Sequence, residues 1–316
     1  MTITQLEYIL SVEKYRHFGK AAKACAVTQP TLSMQLQKAE EELGVMLFDR
    51  SKNPILPTQE GIKIIEQARH VIREYKKIFS IIDAAQYEVR GEFRLGVIPT
   101  LAPYLIPLFA GDFVKRYPEV KLTIEEFKTE EIIELLGRDE LDAALLVTPI
   151  VGEAFIERVL FHEPFSIFAA TDHNLLKKAK VKAGDLDPTD VWLLNEGHCF
   201  RQQVLNICKI SQDGSLHDNL KFESGNLETL KNMVLHSNGY TLLPKLAVMN
   251  LSSEDRKHVR EFHNPIPTRE VSLVHNRIFL KEKIITALEA IVIENLPAEL
   301  MSMKKKNYEV VSIEAN

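Results

Sequence analysis

Ala21-Ala22-Lys23-Ala24-Cys25-Ala26-Val27-Thr28-Gln29-Pro30-Thr31-Leu32-Ser33-Met34-Gln35-Leu36 is the stretch on which the reading of this chain turns. Its first half, entered near Phe18, is rich in alanine, and small side chains let a second helix approach closely. Thr28 then has the chemistry of a helix N-cap, with Pro30 tolerated in the first turn. The helix so begun repeats Leu32, Leu36, Ala39 and Leu43 at steps of four, three and four, an apolar face, with Gln29, Thr31, Ser33, Gln35 and Lys38 opposite. Upstream, Thr4 and Glu7 have the spacing of a capping box, ahead of the stripe Leu6, Ile9, Leu10. Two helices across a tight turn, the second polar at its N-terminal end, can lay a reading helix in the major groove of DNA, where Gln, Ser and Thr match base edges. Through residue 60 seven Lys and Arg face seven Asp and Glu, so charge alone leaves a generic three-helix bundle open. The acids gather at Glu40-Glu41-Glu42, which leaves Lys20, Lys23, Lys38, Arg50 and Lys52 as candidate phosphate contacts.

The 316 residues, 45% hydrophobic and 26% charged, make a globular composition long enough for two or three cores. A net charge of -5 argues against a general nucleic-acid coat and leaves a local basic patch open. The chain opens without a basic segment leading into an apolar one, and no long apolar run follows, so no membrane contact and a cytoplasmic location are expected. Three cysteines build no disulfide framework there. Neither a G-x-S-x-G elbow nor a G-x-x-x-x-G-K loop occurs, and no cofactor, metal site or enzyme activity is expected.

Taken together, Ala21-Ala22, Val27-Thr28-Gln29-Pro30-Thr31-Leu32-Ser33, Glu41-Glu42-Leu43-Gly44-Val45, Leu47-Phe48-Asp49-Arg50, Pro57-Thr58 and Gly61 resemble the winged helix-turn-helix of LysR-type transcriptional regulators. The resemblance implies an N-terminal all-α winged helix-turn-helix domain over 1–60 that binds double-stranded promoter DNA. Its contacts would be Lys20, Gln29, Pro30, Thr31, Ser33, Met34, Gln35, Lys38, Arg50 and Lys52. Met34 stands where many members carry a basic residue, and Cys25 at a position that is usually apolar, which makes it a packing residue.

Residues 61–91 read as a long linker helix. From Ile62 to about Glu88 there is no Gly or Pro, and Ile65, Ile72 and Phe79 recur every seven residues, as do Ala68, Tyr75 and Ile82. That is a coiled-coil seam and predicts a dimer helix; Gly91 closes it. Over 92–303 strands alternate with helices. Strands are predicted at Phe93 to Val97, Val120 to Ile124, Ala143 to Val147, Phe165 to Ala170, Trp192 to Leu194, Leu220 to Glu223, Tyr240 to Leu243 and Val271 to His275. Helices are predicted at Leu101 to Arg116, Thr129 to Leu136, Arg201 to Ile210, Leu227 to His236 and Phe279 to Asn295. The pattern implies a parallel-rich sheet in two lobes joined by crossing segments near residues 160 and 267, with a ligand site between lobes. In family terms this is an α/β two-lobed, periplasmic-binding-protein-like regulatory domain, with 304–316 as a C-terminal tail.

Cys199 and Cys208 lie nine residues apart, beside His198 and Arg201. Cationic neighbours favour thiolate, the form that attacks peroxide, giving a sulfenic acid that a second thiol captures. The competing reading is that free cysteine packs as a small hydrophobe. Ile98-Pro99-Thr100, Pro103-Tyr104-Leu105, Thr129, Glu196-Gly197-His198-Cys199, Arg201, Cys208, Leu227-Glu228-Thr229-Leu230 and Thr241-Leu242-Leu243-Pro244 are similar to the peroxide-sensing members of the LysR type. That resemblance implies Cys199 as the peroxidatic and Cys208 as the resolving residue of a redox-active disulfide. It also implies Thr100, Thr129, His198, Arg201 and Arg269 around the thiolate. The partners implied are hydrogen peroxide, RNA polymerase, a glutaredoxin or thioredoxin as reductant, and further copies of the chain as a dimer of dimers. Gln202 and Lys221 depart from the usual acid and histidine. If Arg201 to Ile210 is helical, the two thiols lie on the order of 13 Å apart along it, beyond the about 4.4 to 6.8 Å between α-carbons that a disulfide needs. Two rival readings are a regulator answering a small organic effector in the cleft and a thiol peroxidase.

Overall fold

The computed structural model describes residues 1–84, 89–150, 155–195, 199–209, 225–276, 281–301 and 307–313, with the side chains of 73, 76, 77 and 79–84 outside the description. It divides into two units, Met1–Tyr87 and Glu88–Asn316.

The first unit opens with α1 (Ile3–Tyr15), α2 (Phe18–Ala24) and α3 (Gln29–Leu43). The capping box of α1 is Thr2 with Gln5, not Thr4 with Glu7: Thr2 accepts from the Gln5 amide and the Gln5 side chain reaches back to the Thr2 amide. Thr4 is already inside the helix, where its hydroxyl cannot cap. His17 caps α2 through Nδ1, and Ala21 and Ala22 are buried where α1 and α2 pack. Thr28 caps α3 as expected, and Leu32, Leu36 and Ala39 are fully buried. The head is not all-α. An antiparallel ribbon of β1 (Phe48–Asp49) and β2 (Leu56–Pro57) follows α3. Glu40 holds this ribbon from inside: it is 3% exposed, accepts from the Leu47 and Phe48 amides, and pairs with Arg50 at 2.7 Å.

Helix α4 (Gln59–Ala84) packs back on the head. Gly61 permits this approach, since a Cβ there would lie 2.1 Å from the Leu47 carbonyl oxygen. Half of the expected heptad seam changes role here. Ile65, Ala68 and Ile72 are buried in the head's own core beside Ile9 and Val12, and Arg69 pairs with Glu13 at 2.8 Å. The heptad arose because one face of α4 must cover α1, a demand that produces the same spacing as a coiled coil. The apolar residues that α4 exposes are Ile62, Val71, Tyr75 and Ile78. The Phe79 and Ile82 side chains lie outside the described residues.

In the second unit β3 (Gly91–Val97), α5 (Ala102–Arg116), β4 (Val120–Glu126), α6 (Thr129–Gly137) and β5 (Ala143–Thr148) form a parallel set with strand order β4-β3-β5. Two long strands, β6 (Phe155–Ala169) and β10 (Ile266–Asn276), run antiparallel to each other and carry the chain between lobes. The second lobe adds β7 (Lys180–Val181), α7 (Cys199–Cys208), α8 (Leu227–His236), β8 (Tyr240–Pro244), α9 (Lys245–Met249) and β9 (Val259–Phe262), with β8 and β9 pairing the last residues of β6. Helix α10 (Glu282–Glu294), which packs on α5, the short α11 (Ala298–Met301) and β11 (Tyr308–Val310) complete the unit.

The sheet is mixed where a parallel-rich one was expected, because the crossing strands pair antiparallel with each other, β10 also with β5 and β6 also with β8. The strand expected at Trp192 to Leu194 is absent: only Val191 bridges to Tyr240, and Trp192 is turned to Asn238. Helix α7 starts two residues before Arg201, at Cys199. Leu220 to Glu223, Lys221 among them, Ile210 and residues 279–280 lie outside the described residues.

Candidate functional site

Antiparallel register between β6 and β10 sets Arg269 opposite Glu163, both fully buried where the lobes join. The guanidinium Nε and Nη2 donate to Glu163 Oε2 at 2.9 and 2.7 Å, and Nη1 donates to Thr100 Oγ1 at 3.0 Å. Nη2 also reaches the Thr100 carbonyl at 3.2 Å, and the ring of Phe200 lies 5.8 Å from the cation. The second carboxylate oxygen of Glu163 accepts from the Leu246 amide at 2.7 Å. A buried pair is stable only when its other donors and acceptors are largely met, and here Thr100 and the Leu246 amide serve that need.

Cys199, the first residue of α7, faces this cluster. Burial pushes its thiol up from the ordinary range; the Thr129 hydroxyl, the Arg269 charge and the amides of Phe200 and Cys199 at the helix N-terminus pull the other way. The net direction is upward. Desolvation outweighs the cation, which Glu163 also engages. Thr129 Oγ1 is buried beside the sulfur and meets no other hydrogen-bond partner among the described residues. Thr129 and Arg269 thus lie beside Cys199, and Thr100 joins them through Arg269. Arg201 does not join them, because its Nη1 donates to the Leu194 carbonyl at 2.9 Å. His198 lies outside the described residues.

Cys208 ends the same helix. Nine steps of about 100° place the two thiols on opposite faces, about 13 Å apart along the axis. Both are free. Cys208 is buried, with Tyr240 Oη 3.5 Å from its sulfur and the same hydroxyl 3.1 Å from the Asp187 carbonyl. Burial raises the Cys208 thiol to about 11. A third cluster spans the lobes: Tyr104 on α5 donates to Glu228 on α8 at 2.8 Å, and Lys231 pairs with Glu228 at 2.5 Å.

On the head, Lys20, Gln29, Pro30, Thr31, Met34, Lys38 and Lys52 are exposed, while Ser33 and Gln35 are half-buried. The Gln29 side-chain oxygen Oε1 lies near Gly19, so the N-terminal ends of α2 and α3 present Lys20 and Gln29 together. Two expected contacts are otherwise engaged. Gln35 accepts from Gln5 at 3.2 Å, and Arg50 lies between Glu40 and the Phe18 ring. Lys52 sits in the turn of the ribbon.

Residues 3–62 match the family model for bacterial regulatory helix-turn-helix proteins of the lysR family, and residues 86–292 match that for the LysR substrate binding domain. The chain belongs to the LysR family. Among LysR-family relatives, a hydrogen peroxide-inducible genes activator of Haemophilus influenzae is 34% identical over 275 residues, 87% of this chain and 90% of that protein. The DNA-binding transcriptional dual regulator OxyR of Escherichia coli is 36% identical, covering 87% of this chain and 89% of that one. A full-length OxyR of Pseudomonas aeruginosa, with a cysteine replaced by aspartate, superposes with a TM-score of 0.79 at 33% identity, covering 94% of this chain and 99% of that one.

Against this LysR frame, the residues missed in the sequence are Glu163, Phe200 and Tyr240. Glu163 had a usable signal: it sits in one of the two crossing segments and Arg269 in the other, and opposite charges there invite pairing. Phe200 and Tyr240 carried no signal, since each reads as one more core aromatic.

Proposed function

We propose that this chain is a transcription activator switched by hydrogen peroxide, with the reading head on residues 1–60, a dimer helix on 61–91 and the sensor on 92–303. The observation that carries the reading is a half-buried cysteine, Cys199, held among Thr129, Thr100 and Arg269 in a chain that aligns over most of its length with peroxide-inducible activators. Thr129, whose hydroxyl has no other partner among the described residues, suits a small polar guest beside the sulfur. The Cys199 sulfur attacks one peroxide oxygen, the O–O bond breaks, and the thiol proton leaves with the departing hydroxide as water, giving a sulfenic acid. The Cys208 sulfur then attacks the sulfenic sulfur; the S–O bond breaks, water leaves, and a disulfide forms. A dithiol reductant of the glutaredoxin or thioredoxin kind returns both thiols.

Since the thiols sit on opposite faces of α7, the second step requires this helix to unwind. That makes α7 the bistable element whose rearrangement alters the lobe surface and, through an oligomer, the spacing of the DNA heads and their contact with RNA polymerase. The ribbon β1/β2 acts as the wing, placing Lys52 on the phosphate backbone, while Gln29, Thr31 and Ser33 read bases. Val71, Tyr75 and Ile78, spaced four and three, are the part of α4 suited to a partner's helix.

Purified chain treated with peroxide should lose two thiols, with Cys199→Ser losing neither and still binding promoter DNA. Retention of both thiols in the unmutated chain, with a response to a small organic molecule instead, would overturn the peroxide reading.

A further inference from the structure

The LysR family models account for nothing after residue 292, yet the segment 307–313 is built into the regulatory unit at the place where the redox helix ends. Strand β11 pairs parallel with β10, Tyr308 opposite Ile266 and Val310 opposite Thr268, and the Val311 amide donates to the Thr268 carbonyl at 2.9 Å. Tyr308 stacks on His162 with ring centroids 4.8 Å apart, and Val311 and Ile313 pack on the core. From this anchored position the segment turns its carbonyls to α7. Gln203 Nε2 donates to the Val311 carbonyl at 3.1 Å, and Asn206 Nδ2 donates to the Ser312 carbonyl at 3.0 Å. Gln203 is fully buried, and its amide nitrogen meets that carbonyl inside the protein.

Gln203 and Asn206 lie between Cys199 and Cys208, on the stretch that must leave its helical path before the thiols meet. The neighbouring strand β10 carries Arg269, one residue beyond the last β11 pair. The tail is thus fastened at one end to the strand that holds the site's cation and at the other to the helix that must move.

We propose that segment 307–313 is a strap that retains α7 in its reduced form and sets the rate of the second, disulfide-forming step, with Gln203 and Asn206 as the positioning residues through which it acts. This rests on the peroxide reading above. Attack on peroxide by Cys199 needs no movement of α7 and is indifferent to the strap. Capture of the sulfenic acid by Cys208 requires both carbonyl contacts to break, so oxidation releases the segment.

The test compares the full chain with the double variant Gln203→Met, Asn206→Ala and with a chain ending at Lys306. Methionine matches glutamine and alanine exceeds asparagine as a helix former, so faster disulfide formation in the double variant does not come from a lower helix propensity. Peroxide is mixed with each protein, and sulfenic acid at Cys199 is trapped separately from the loss of the second thiol. The expected result is an unchanged first step and a second step faster by on the order of tenfold, the combined effect of two net hydrogen bonds, in both altered proteins. Amide exchange over 308–313 in the full chain should rise on oxidation. Equal second-step rates in the full chain and the double variant, or protection of 308–313 that oxidation leaves intact, overturn the strap. Should the truncated chain fold poorly, the double variant decides. Absence of any two-thiol loss in the full chain is a different result: it overturns the peroxide reading itself.

Discussion

Arg269→Met tests the cluster at the lobe junction by two readouts that need not move together. The guanidinium is fully buried and makes its bonds to Glu163 and Thr100. Its removal leaves the Glu163 carboxylate, also fully buried, with the Leu246 amide as the donor that remains. Breaking a buried pair by taking one partner costs about 3 to 5 kcal/mol, a large share of the stability of a single unit. Replacing both partners, as in Arg269→Met with Glu163→Gln, should recover most of that, because no uncompensated charge stays behind. The one tryptophan, Trp192, is buried in the second lobe, so urea unfolding followed by its fluorescence reports the regulatory unit without the head. The second readout is the thiol. Arg269 is one of the groups that hold the Cys199 pKa down against burial. Its loss moves the pH profile of Cys199 alkylation to higher pH, and the slower reaction at neutral pH is restored in alkali. A loss of less than about 1 kcal/mol, against the 3 to 5 expected, would refute the pairing argument. An unchanged pH profile in a folded variant would refute the claim that the cation acts on the sulfur.

Three further outcomes are expected. Ile72→Asp should unfold the head, at about 2 to 7 kcal/mol for burying an unpartnered polar group, whereas Ile78→Asp should leave head stability intact and weaken self-association in sedimentation; dissociation without destabilisation by Ile72→Asp would restore the seam read from the sequence. Glu40→Gln should cost about 1.5 to 3 kcal/mol, the range of a hydrogen bond to a charged group, and lower the head's melting temperature with little effect on peroxide chemistry. Cys208 has its folded thiol raised from 9.0 to about 11, so its contribution to stability is complete below pH 9.0 and is lost as pH climbs to about 11. Cys208→Ala should flatten the fall in stability across that window, and an unaltered alkaline slope would contradict the burial argument.

The head was legible because its helices obey local rules. Thr28, Pro30 and the steps from Leu32 to Ala39 state a helix start and a buried face without reference to anything distant. Where the sequence misled, two structural demands share one pattern. Ile65, Ala68 and Ile72 satisfy a heptad whether they face a partner chain or α1, and periodicity does not name the surface opposite. Glu40 reads as one of three solvated acids, and only the return of Leu47, Phe48 and Arg50 beneath it makes it the anchor of the ribbon. At the junction, local residue types pointed to Arg201 as a cation because it is near Cys199 in sequence, while Arg269 was reached only through the family resemblance. Arg269 is near it in space, brought there by the pairing of two strands more than a hundred residues apart.

The same contrast between sequence distance and spatial distance governs the thiols. Nine residues is close along a chain, and in an unfolded segment the two sulfurs would meet readily. Helix α7 separates them by turning one toward Arg269 and Thr129 and the other toward Tyr240. Each sulfur then has its own surroundings, and desolvation moves each pKa upward, which disfavours the thiolate form at both. An intermediate geometry gains nothing: partial unwinding loses the Tyr240 and carbonyl contacts before the sulfurs reach bonding range. On the proposed mechanism the helix is therefore either intact with free thiols or rebuilt with a disulfide, so that a step of oxidation at one atom would become a discrete change of shape.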